Sequence, residues 1–404
     1  MWARIMAAVI AVAVAGGAAW WFWLGPETAP SADACGAAER ADVPSAPAVF
    51  EPTVSWQLAE LPAFATDGDE QVMLGGAAFG HGWVASGRSR SGPDSNGFIL
   101  SSPDGFEWRH GATDAAGLAD TEIGLLVERE RTIVAVGSAS GSGQVGIRAW
   151  ISLDGINWRA AAGPFDRSSP TAVGTRDQSL LLVGVAESGD HPLAWTSNGG
   201  NHWERVNLQL PVDPEVARIG AIQSDGAGWV AVGDLSRDVD SPAWPVVWMS
   251  ADGASWTCLL LDRAGFDVAR PTALHRSAQG WLAVGTAGDV CGFGASCPGH
   301  TVAWTSPDSV RWSAGATGVE PWDRGGIGVA GSAEGFVAVG HGTTWWSADG
   351  NSWVELADDG TGAEALIGQL DALAMTDDGR LLAVGTTYEG VDADAWVAVG
   401  YLSR

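Results

Sequence analysis

Four arginines stand at the end of short acidic phrases that recur along the chain, "FDR", "DPEVAR", "FDVAR" and "PWDR". They are Arg167, Arg218, Arg270 and Arg324. A guanidinium binds carboxylates and other anions through paired hydrogen bonds, so four of them around one opening could hold an anionic ligand. In the other interpretation, each arginine pairs with an acid of its own phrase and only shapes the loop. Those acids are Asp166, Glu215, Asp267 and Asp323.

The chain lacks the common motifs of catalytic and cofactor sites. It contains no Gly-x-Ser-x-Gly, no His-Glu-x-x-His and no phosphate-binding loop. No Asp-x-Asp-x-Asp-Gly loop indicates calcium, and no spacing selects the two carboxylates that a glycoside hydrolase needs. We therefore predict no catalytic residue, and we expect no cofactor and no metal.

Cysteines supply the remaining chemistry. Cys291 and Cys297 have five residues between them in one long loop and are predicted to form a disulfide. A metal site there is the weaker interpretation, because His300 is the one obvious further ligand. Cys35 and Cys258 are left over. They could pair if the N-terminal segment folds back on an outer strand, or they could remain free.

A turn phrase that ends in tryptophan recurs between these residues. Its full form, Ser-x-Asp-Gly-x-x-Trp, occurs four times, and two further copies depart from it at Gly199 and Ser309. The four matches are Ser102, Asp104 and Trp108; Ser152, Asp154 and Trp158; Ser250, Asp252 and Trp256; and Ser347, Asp349 and Trp353. The Asp can cap loop N–H groups, the Gly can adopt positive φ, and the Trp can pack between sheets. We interpret these acids as structural and not as metal ligands.

The repeat predicts the fold. The phrase tryptophans recur every 41 to 56 residues, a period typical of propellers and solenoids. A second phrase, usually Val-Gly after two apolar residues, occurs seven times and ends at Gly87, Gly137, Gly184, Gly233, Gly285, Gly340 and Gly385. The seventh unit reaches the C-terminus without its tryptophan, and "VSWQLAEL" at 54–61 offers Trp56 instead. We predict an all-β, seven-bladed β-propeller over 54–404, closed by an N-terminal strand that completes the last blade.

The turn phrase also resembles the Asp-box, or BNR repeat, of sialidase-like propellers, in a form one residue shorter than usual. The resemblance covers 54–404 and places the chain with the membrane-anchored bacterial type of such propellers. A sialidase would use a tyrosine nucleophile, and the chain has only Tyr388 and Tyr401. Tyr388 is followed by Glu389, but neighbours in an extended segment point in opposite directions. The Arg-Ile-Pro phrase of sialidases is missing, and seven blades differ from their six.

The N-terminal segment predicts the location. Residues 1–24 contain about twenty consecutive apolar residues after Arg4, which predicts a transmembrane anchor or a cleaved signal sequence. Residues 25–53 are rich in Ala and Pro and are predicted to be a linker. Acidic residues follow the apolar run, so the propeller is expected outside the cytoplasm, held by a single-pass anchor or secreted if the segment is cleaved.

Charge narrows the class of partner. The formal net charge of −27 argues against DNA or RNA, because phosphate binding needs a basic surface. We predict a non-catalytic binding or scaffold propeller of the cell envelope that presents variable loops to a protein or glycan ligand. The alternative is a glycoside hydrolase, sialidase-like or other, that acts on extracellular or envelope glycans.

Overall fold

The computed structural model describes fifteen stretches of the chain. They are residues 34–41, 53–64, 70–91, 94–112, 117–139, 146–165, 167–187, 191–237, 242–288, 300–315, 328–340, 343–357, 368–376, 378–389 and 392–403. The predicted anchor over 1–24, the predicted Cys291–Cys297 disulfide and Arg324 lie outside them. Within these stretches, no helix combines the length and the apolar character that a membrane crossing requires.

The described strands form seven sheets, each one blade of a propeller. Two strands precede the blades, β1 (Gly36–Ala37) and β2 (Thr53–Leu58). Blade 1 contains β3 (Glu70–Phe79), β4 (Gly82–Ser91), β5 (Asp94–Ser102) and β6 (Arg109–His110). Blade 2 contains β7 (Thr121–Arg129), β8 (Thr132–Ala139), β9 (Gly146–Ser152) and β10 (Trp158–Ala160). Blade 3 contains β11 (Ser168–Arg176), β12 (Ser179–Ala186), β13 (Pro192–Asn198) and β14 (Glu204–Val206). Blades 4 and 5 contain β15 (Ala221–Ser224), β16 (Trp229–Leu235), β17 (Trp244–Ser250) and β18 (Thr257–Leu260); and β19 (Val268–Ser277), β20 (Gly280–Gly288), β21 (His300–Ser306) and β22 (Ser313–Gly315). Blades 6 and 7 contain β23 (Gly328–Ser332), β24 (Gly335–Gly340), β25 (Thr343–Ser347) and β26 (Val354–Glu355); and β27 (Gln369–Met375), β28 (Arg380–Glu389) and β29 (Asp392–Ser403).

The hydrophobic core lies between neighbouring blades. In β8, Ile133 and Ala135 pack with blade 1, whereas Val134 and Val136 pack with blade 3. Successive side chains of a strand point to opposite faces, so a strand covered on both faces must be apolar at every position. This is why the repeated phrase is a continuous apolar run rather than an alternating one. The predicted all-β, seven-bladed architecture is confirmed.

The ring closes as predicted. The strand β2 pairs antiparallel with β29, with Trp56 opposite Gly400, and becomes the outer strand of blade 7. Trp56 is buried, and its Nε1 donates to Thr344 Oγ1 of blade 6 at 3.0 Å. A strand from one end of the chain therefore completes a sheet made by the other end, which leaves no open gap between blades 7 and 1.

The glycine of the repeated phrase is required by a bulge in the inner strand. In β7 the register shifts between Ile123 and Leu125, opposite Gly137. A Cβ on Gly137 would lie 2.1 Å from the Glu122 carbonyl oxygen, which no real side chain can do. Equivalent conflicts, between 2.0 and 2.4 Å, occur at Gly87, Gly184, Gly233, Gly285 and Gly385. Each bulge presses a carbonyl against the second strand, so only glycine fits there.

The tryptophan turns have the predicted geometry. Asp104 Oδ1 accepts hydrogen bonds from the backbone N–H of Phe106 at 2.8 Å and of Glu107 at 3.0 Å. Gly105 has a φ of 91°, and Trp108 Nε1 donates to its carbonyl. The Glu107 hydrogen bond is the main reason why the pKa of Asp104 is lowered. The same backbone bonds recur at Asp154, Asp252 and Asp349.

The turns of blades 2, 3 and 4 also fasten their blade to the one before it. The backbone N–H of Trp158 donates to Ala112 O at 2.9 Å, and that of Trp203 donates to Ala162 O at 2.8 Å. Trp256 donates in the same way to Gln209 O at 3.0 Å. In each case the acceptor lies in the segment that leaves the preceding blade. We call this hydrogen bond the blade clasp.

One clasp is made by a distant part of the chain. Residues 34–41, here called the strap, cross the outer edges of blades 4 and 5. The strand β1 pairs parallel with β18, and Glu39 O accepts the blade clasp from Trp312 at 2.8 Å. Cys35 is bonded to Cys258 of β18, which resolves the alternative that the sequence left open. Part of the predicted linker, the strap, therefore carries a short strand, because the exposed edge of β18 offers backbone groups that an extended segment can pair with.

One turn departs from the pattern at a measurable cost. Ser309 has a φ of 65°, where the full turn phrase has glycine. A residue with a Cβ in this region is disfavoured by roughly 1 kcal/mol. We expect Ser309→Gly to raise the free energy of unfolding by about 0.5–1 kcal/mol in chemical denaturation. Ser309→Ala, which keeps the Cβ, should give no gain, and an equal gain in both variants would contradict the conformational explanation.

Candidate functional site

Several polar residues that bridge neighbouring blades lie where the inner strands begin, here called the mouth end. At this end the residue after the repeated glycine faces an inner-strand residue of its own blade, as in Thr286 opposite Arg270 and Thr386 opposite Gln369. Seven polar residues of this level are here called the mouth layer. They are Arg88, Glu122, Arg218, Asp234, Arg270, Gln369 and Thr386.

The centre of the mouth layer on blades 4 and 5 is Asp234, whose side chain is only 8% exposed. Ser236 Oγ donates to its Oδ2 at 2.6 Å, and Arg270 Nε lies 3.8 Å from the same oxygen. Burial raises the pKa of the Asp234 carboxyl, although the Ser236 hydrogen bond and the charges of Arg270 and Arg218 act in the opposite direction. The repeat scaffold thus keeps a poorly solvated carboxyl between two guanidiniums.

This environment predicts how stability depends on pH at Asp234. The folded pKa lies above the ordinary value of 3.8, so the stabilising contribution is complete below that value and is lost as pH rises through the folded pKa. We expect Asp234→Asn to melt at the wild-type temperature or higher at pH 7, with the difference disappearing below pH ~3.8. The exposed Asp394→Asn is the control for the loss of one carboxyl group. A variant that is less stable at pH 7 would show that the arginine charges outweigh burial.

A second charged group joins blades 1 and 2. Arg88 donates through Nη2 to Glu70 Oε1 at 3.1 Å and through Nη1 to Glu122 Oε1 at 3.0 Å. Arg90 lies 3.4 Å from the second oxygen of Glu70. Arg88 follows Gly87, as Asp234 follows Gly233, and in both cases the side chain reaches the inner strand of the next blade. The position after the repeated glycine is therefore the bridging position of the mouth layer.

The third group seals the junction between blades 7 and 1. Thr386 Oγ1 accepts from the Met73 backbone N–H at 3.2 Å and donates to Asp371 Oδ2 at 2.8 Å. Gln369 Nε2 donates to Asp371 Oδ1 at 2.8 Å. Asp371 sits at the bulge of β27, and partial burial raises the pKa of its carboxyl against both hydrogen bonds.

The structure brings together two of the four predicted arginines. Arg218 and Arg270 both act on Asp234, whereas Arg167 is exposed and lies 3.7 Å from Glu187. Asp166, the acid of the Arg167 phrase, lies outside the described residues. Arg167 pairs with Glu187, Arg270 pairs with Asp234, and Arg218 Nη1 donates to the backbone carbonyls of Glu215 and Ala217 at 3.0 and 3.1 Å. The preceding blade, and not the same loop, supplies the acid for Arg270, because β16 of blade 4 packs against β19 of blade 5.

Sequence reasoning missed Asp234, Arg88 and Glu122. The signal was present, since Arg88 and Asp234 directly follow repeated glycines that the phrase already marked. The two tyrosines are exposed, Tyr388 by 53% and Tyr401 by 39%, so neither shares the buried setting of Asp234. Among the described residues, no group of three or more His, Cys, Asp or Glu side chains could hold a metal ion.

Comparisons with known proteins support the fold and leave the activity open. No family model and no curated protein sequence matches the chain. A structure of YCF48 bound to D1 peptide is similar over 91% of this chain and 98% of that chain, with 13% identity and a TM-score of 0.54. The β-propeller domain of the Trilobed protease from Pyrococcus furiosus has 9% identity over 81% of this chain and 93% of that chain, with a TM-score of 0.49. A putative glycoside hydrolase from Bacteroides ovatus has 11% identity over 82% and 86%, with a TM-score of 0.40. At 13% identity, the likeness to the structure of YCF48 shows a shared fold.

Proposed function

We propose that this chain is an extracytoplasmic binding propeller of the cell envelope, and that it holds a segment of another protein at the mouth layer. The observation that carries the proposal is the pair Arg218 and Arg270 around the buried Asp234. A carboxylate of the partner would add to these two guanidiniums as a second anion. The outer loops of varied length would then contact the rest of the partner.

The location rests on two separate observations. The Cys35–Cys258 disulfide is typical of an oxidising compartment outside the cytoplasm. The apolar run in 1–24 would hold the chain in the membrane by a single-pass anchor. YCF48, which shares the fold, has been seen bound to a D1 peptide, and this makes a protein segment the first ligand class to test.

The arrangement of acids favours binding over glycoside hydrolysis. Glycosidases of the common type need two carboxyl groups roughly 5–9.5 Å apart on either side of one bond. Asp234 and Asp371 are the carboxyls whose pKa burial raises, but they belong to blades 4 and 7. Blades 5 and 6 separate them on one side of the ring and blades 1 to 3 on the other. Glu70 and Glu122 are already paired with arginines.

The experiment is site-specific photo-crosslinking in the native envelope. A photoreactive residue at the exposed Thr286, opposite Arg270 in register, should capture a protein partner. The double variant Arg218→Ala with Arg270→Ala should reduce capture, and should weaken binding of the purified partner at least tenfold, since charge-assisted hydrogen bonds contribute about 1.5–3 kcal/mol each. A photoreactive residue at Leu153, on an exposed turn at the opposite end, is the control. The proposal would be contradicted if both positions captured the partner equally, or if the double arginine variant captured as much partner as the wild type.

A glycoside hydrolase is the second candidate. The raised pKa of Asp234 favours it, because a carboxyl with a raised pKa is better suited to act as a general acid. A screen of purified protein against aryl glycosides, including sialosides, tests it directly. Turnover that is lost in Asp234→Asn, while the melting temperature is kept, would replace binding by catalysis as the function of the mouth layer.

A further inference from the structure

We propose that the outer edge of blade 3 is a docking site for an extended peptide segment of a partner protein, and that this segment carries a carboxylate. This site goes beyond the function proposed for the mouth layer and lies on a different surface. It combines a cleft, a strand edge, and a rim of polar side chains that have no hydrogen-bond partner among the described residues.

The cleft lies between the start of β13 and the segment that leaves β14. Its volume is about 610 Å³, within the range of small-ligand sites. Its walls are largely apolar and include Pro192, Leu193, Val206, Leu208 and Leu210. From Val206 onward the half-buried side chains alternate with exposed ones, so the segment presents an extended backbone whose apolar side chains stay accessible from the cleft.

The rim of the cleft favours an anionic group. Arg205, His191 and Asn207 line it, and none of the described residues that line it is acidic, although the whole chain has 48 acids and only 21 basic residues. Across the stretches that the structure describes, none of these three side chains forms a hydrogen bond or an ion pair. A guanidinium beside an apolar wall, without a protein partner, is suited to bind a carboxylate on a ligand.

The neighbouring blade shows what kind of chain such an edge accepts. In blade 4, Gly36 and Ala37 pair parallel with Leu259 and Leu260 of the outer strand. Leu259 and Leu260 follow their turn tryptophan by three and four residues, as Val206 and Asn207 follow Trp203. In blade 3 the chain's own Gln209 makes the blade clasp, and no described strand pairs with the outer edge of β14. Strand addition of this kind is a common mode of peptide recognition.

These observations define the occupant. It is an extended segment of about four to six residues, with backbone groups that pair with the edge of β14. Alternate apolar side chains would enter the cleft, and one Asp or Glu would reach Arg205. The chain's own residues 25–33 and a second copy of the chain are the competing occupants, and the test separates them.

The test is selection of random hexapeptides displayed on phage, with the full-length chain as the target. A selected peptide is then synthesised, labelled and titrated by fluorescence anisotropy. We expect alternating apolar sequences with one acid, and we expect hydrogen exchange to slow at Glu204–Leu208 on binding. Arg205→Ala should weaken binding at least tenfold, about 1.4 kcal/mol. Arg159→Ala, an exposed arginine on the outer strand of blade 2, should leave it unchanged.

Further variants make every outcome decisive. A peptide N-methylated at alternate backbone nitrogens should fail to bind, because strand addition needs those N–H groups. The Arg218→Ala, Arg270→Ala variant should bind the peptide as the wild type does, which separates this site from the mouth layer. The proposal is overturned if no sequence is enriched, if Arg205→Ala binds normally, or if binding is lost in the mouth-layer variant. It is also overturned if peptides bind only after residues 25–33 are deleted, or only to a dimer.

Discussion

Loss of the Cys35–Cys258 disulfide is expected to lower the free energy of unfolding by about 5 kcal/mol. The bond joins residues separated by 223 positions, and the chain-entropy estimate for a loop of that length is slightly above the value for 100 residues, about 4.7 kcal/mol. Both cysteines are buried in the cluster that also contains Trp256 and Val212. Because the disulfide restricts the unfolded chain, its removal leaves the folded contacts of the strap in place but makes them easier to lose.

The measurement is denaturant unfolding of Cys35→Ala beside the wild type, each with and without a reductant. We expect the free energy of unfolding of the wild type in reductant to match that of Cys35→Ala. The reductant should leave the free energy of unfolding of the variant unchanged. The melting temperature should fall by on the order of 10 °C. A difference below about 1 kcal/mol would show that backbone pairing alone holds the strap in place.

Loss of the strap has a further structural consequence. Without it, Trp312 has no carbonyl for its blade clasp, and the edge of β18 is uncovered. The junction between blades 4 and 5 would then be the weakest of those whose clasp the structure describes. The mouth-layer pair Asp234 and Arg270 spans that same junction. Ligand binding at the mouth layer is therefore expected to weaken when the strap is lost.

The second large effect is expected for Gly137→Ala. The new Cβ would lie 2.1 Å from the Glu122 carbonyl oxygen and 3.0 Å from Ile123 Cα, so the bulge of β7 would have to open. Overpacking of this kind costs about 3 kcal/mol or more when the atom in conflict belongs to the backbone. We expect a matching fall in the free energy of unfolding, measured by chemical denaturation with circular dichroism.

Gly124→Ala is the matched control. Gly124 lies at the same bulge, yet a Cβ there would meet only Leu74 Cβ at 3.7 Å, an ordinary contact. This variant should be neutral within about 0.5 kcal/mol or slightly stabilising, since alanine reduces the freedom of the unfolded chain. If both variants lost the same stability, the requirement for glycine would come from strand flexibility and not from the close carbonyl.

Glu122 links this position to the candidate site. Its carbonyl makes the close approach to Gly137, and its carboxylate pairs with Arg88 of blade 1. The bulge therefore sets the direction in which a mouth-layer side chain leaves the inner strand. A repeated structural feature and a variable polar residue share one position, which lets each blade carry different chemistry on the same backbone.

The sequence by itself determined the features that depend on short spacings. The turn phrase requires an Asp two residues before the N–H groups it caps and a residue with positive φ beside it, and both can be read locally. The apolar run of the second strand follows from burial on both faces, and seven runs with six tryptophans leave Trp56 as the residue that completes the ring. The fold could therefore be predicted from periodicity, together with its closure between β2 and β29.

Only the tertiary structure decided which distant residues meet. The pairing of Cys35 with Cys258 requires the strap to turn back onto blade 4, and nothing in its Ala- and Pro-rich sequence marks an edge strand. The partner of Arg270 is Asp234 of the previous blade and not Asp267 of its own loop. Contacts between blades depend on how neighbouring sheets lie side by side, and the burial that shifts the pKa of Asp234 comes from that packing. Spacing along the chain predicts neither these contacts nor this burial, because each blade is a separate sheet and the distances between sheets are set only when the ring closes.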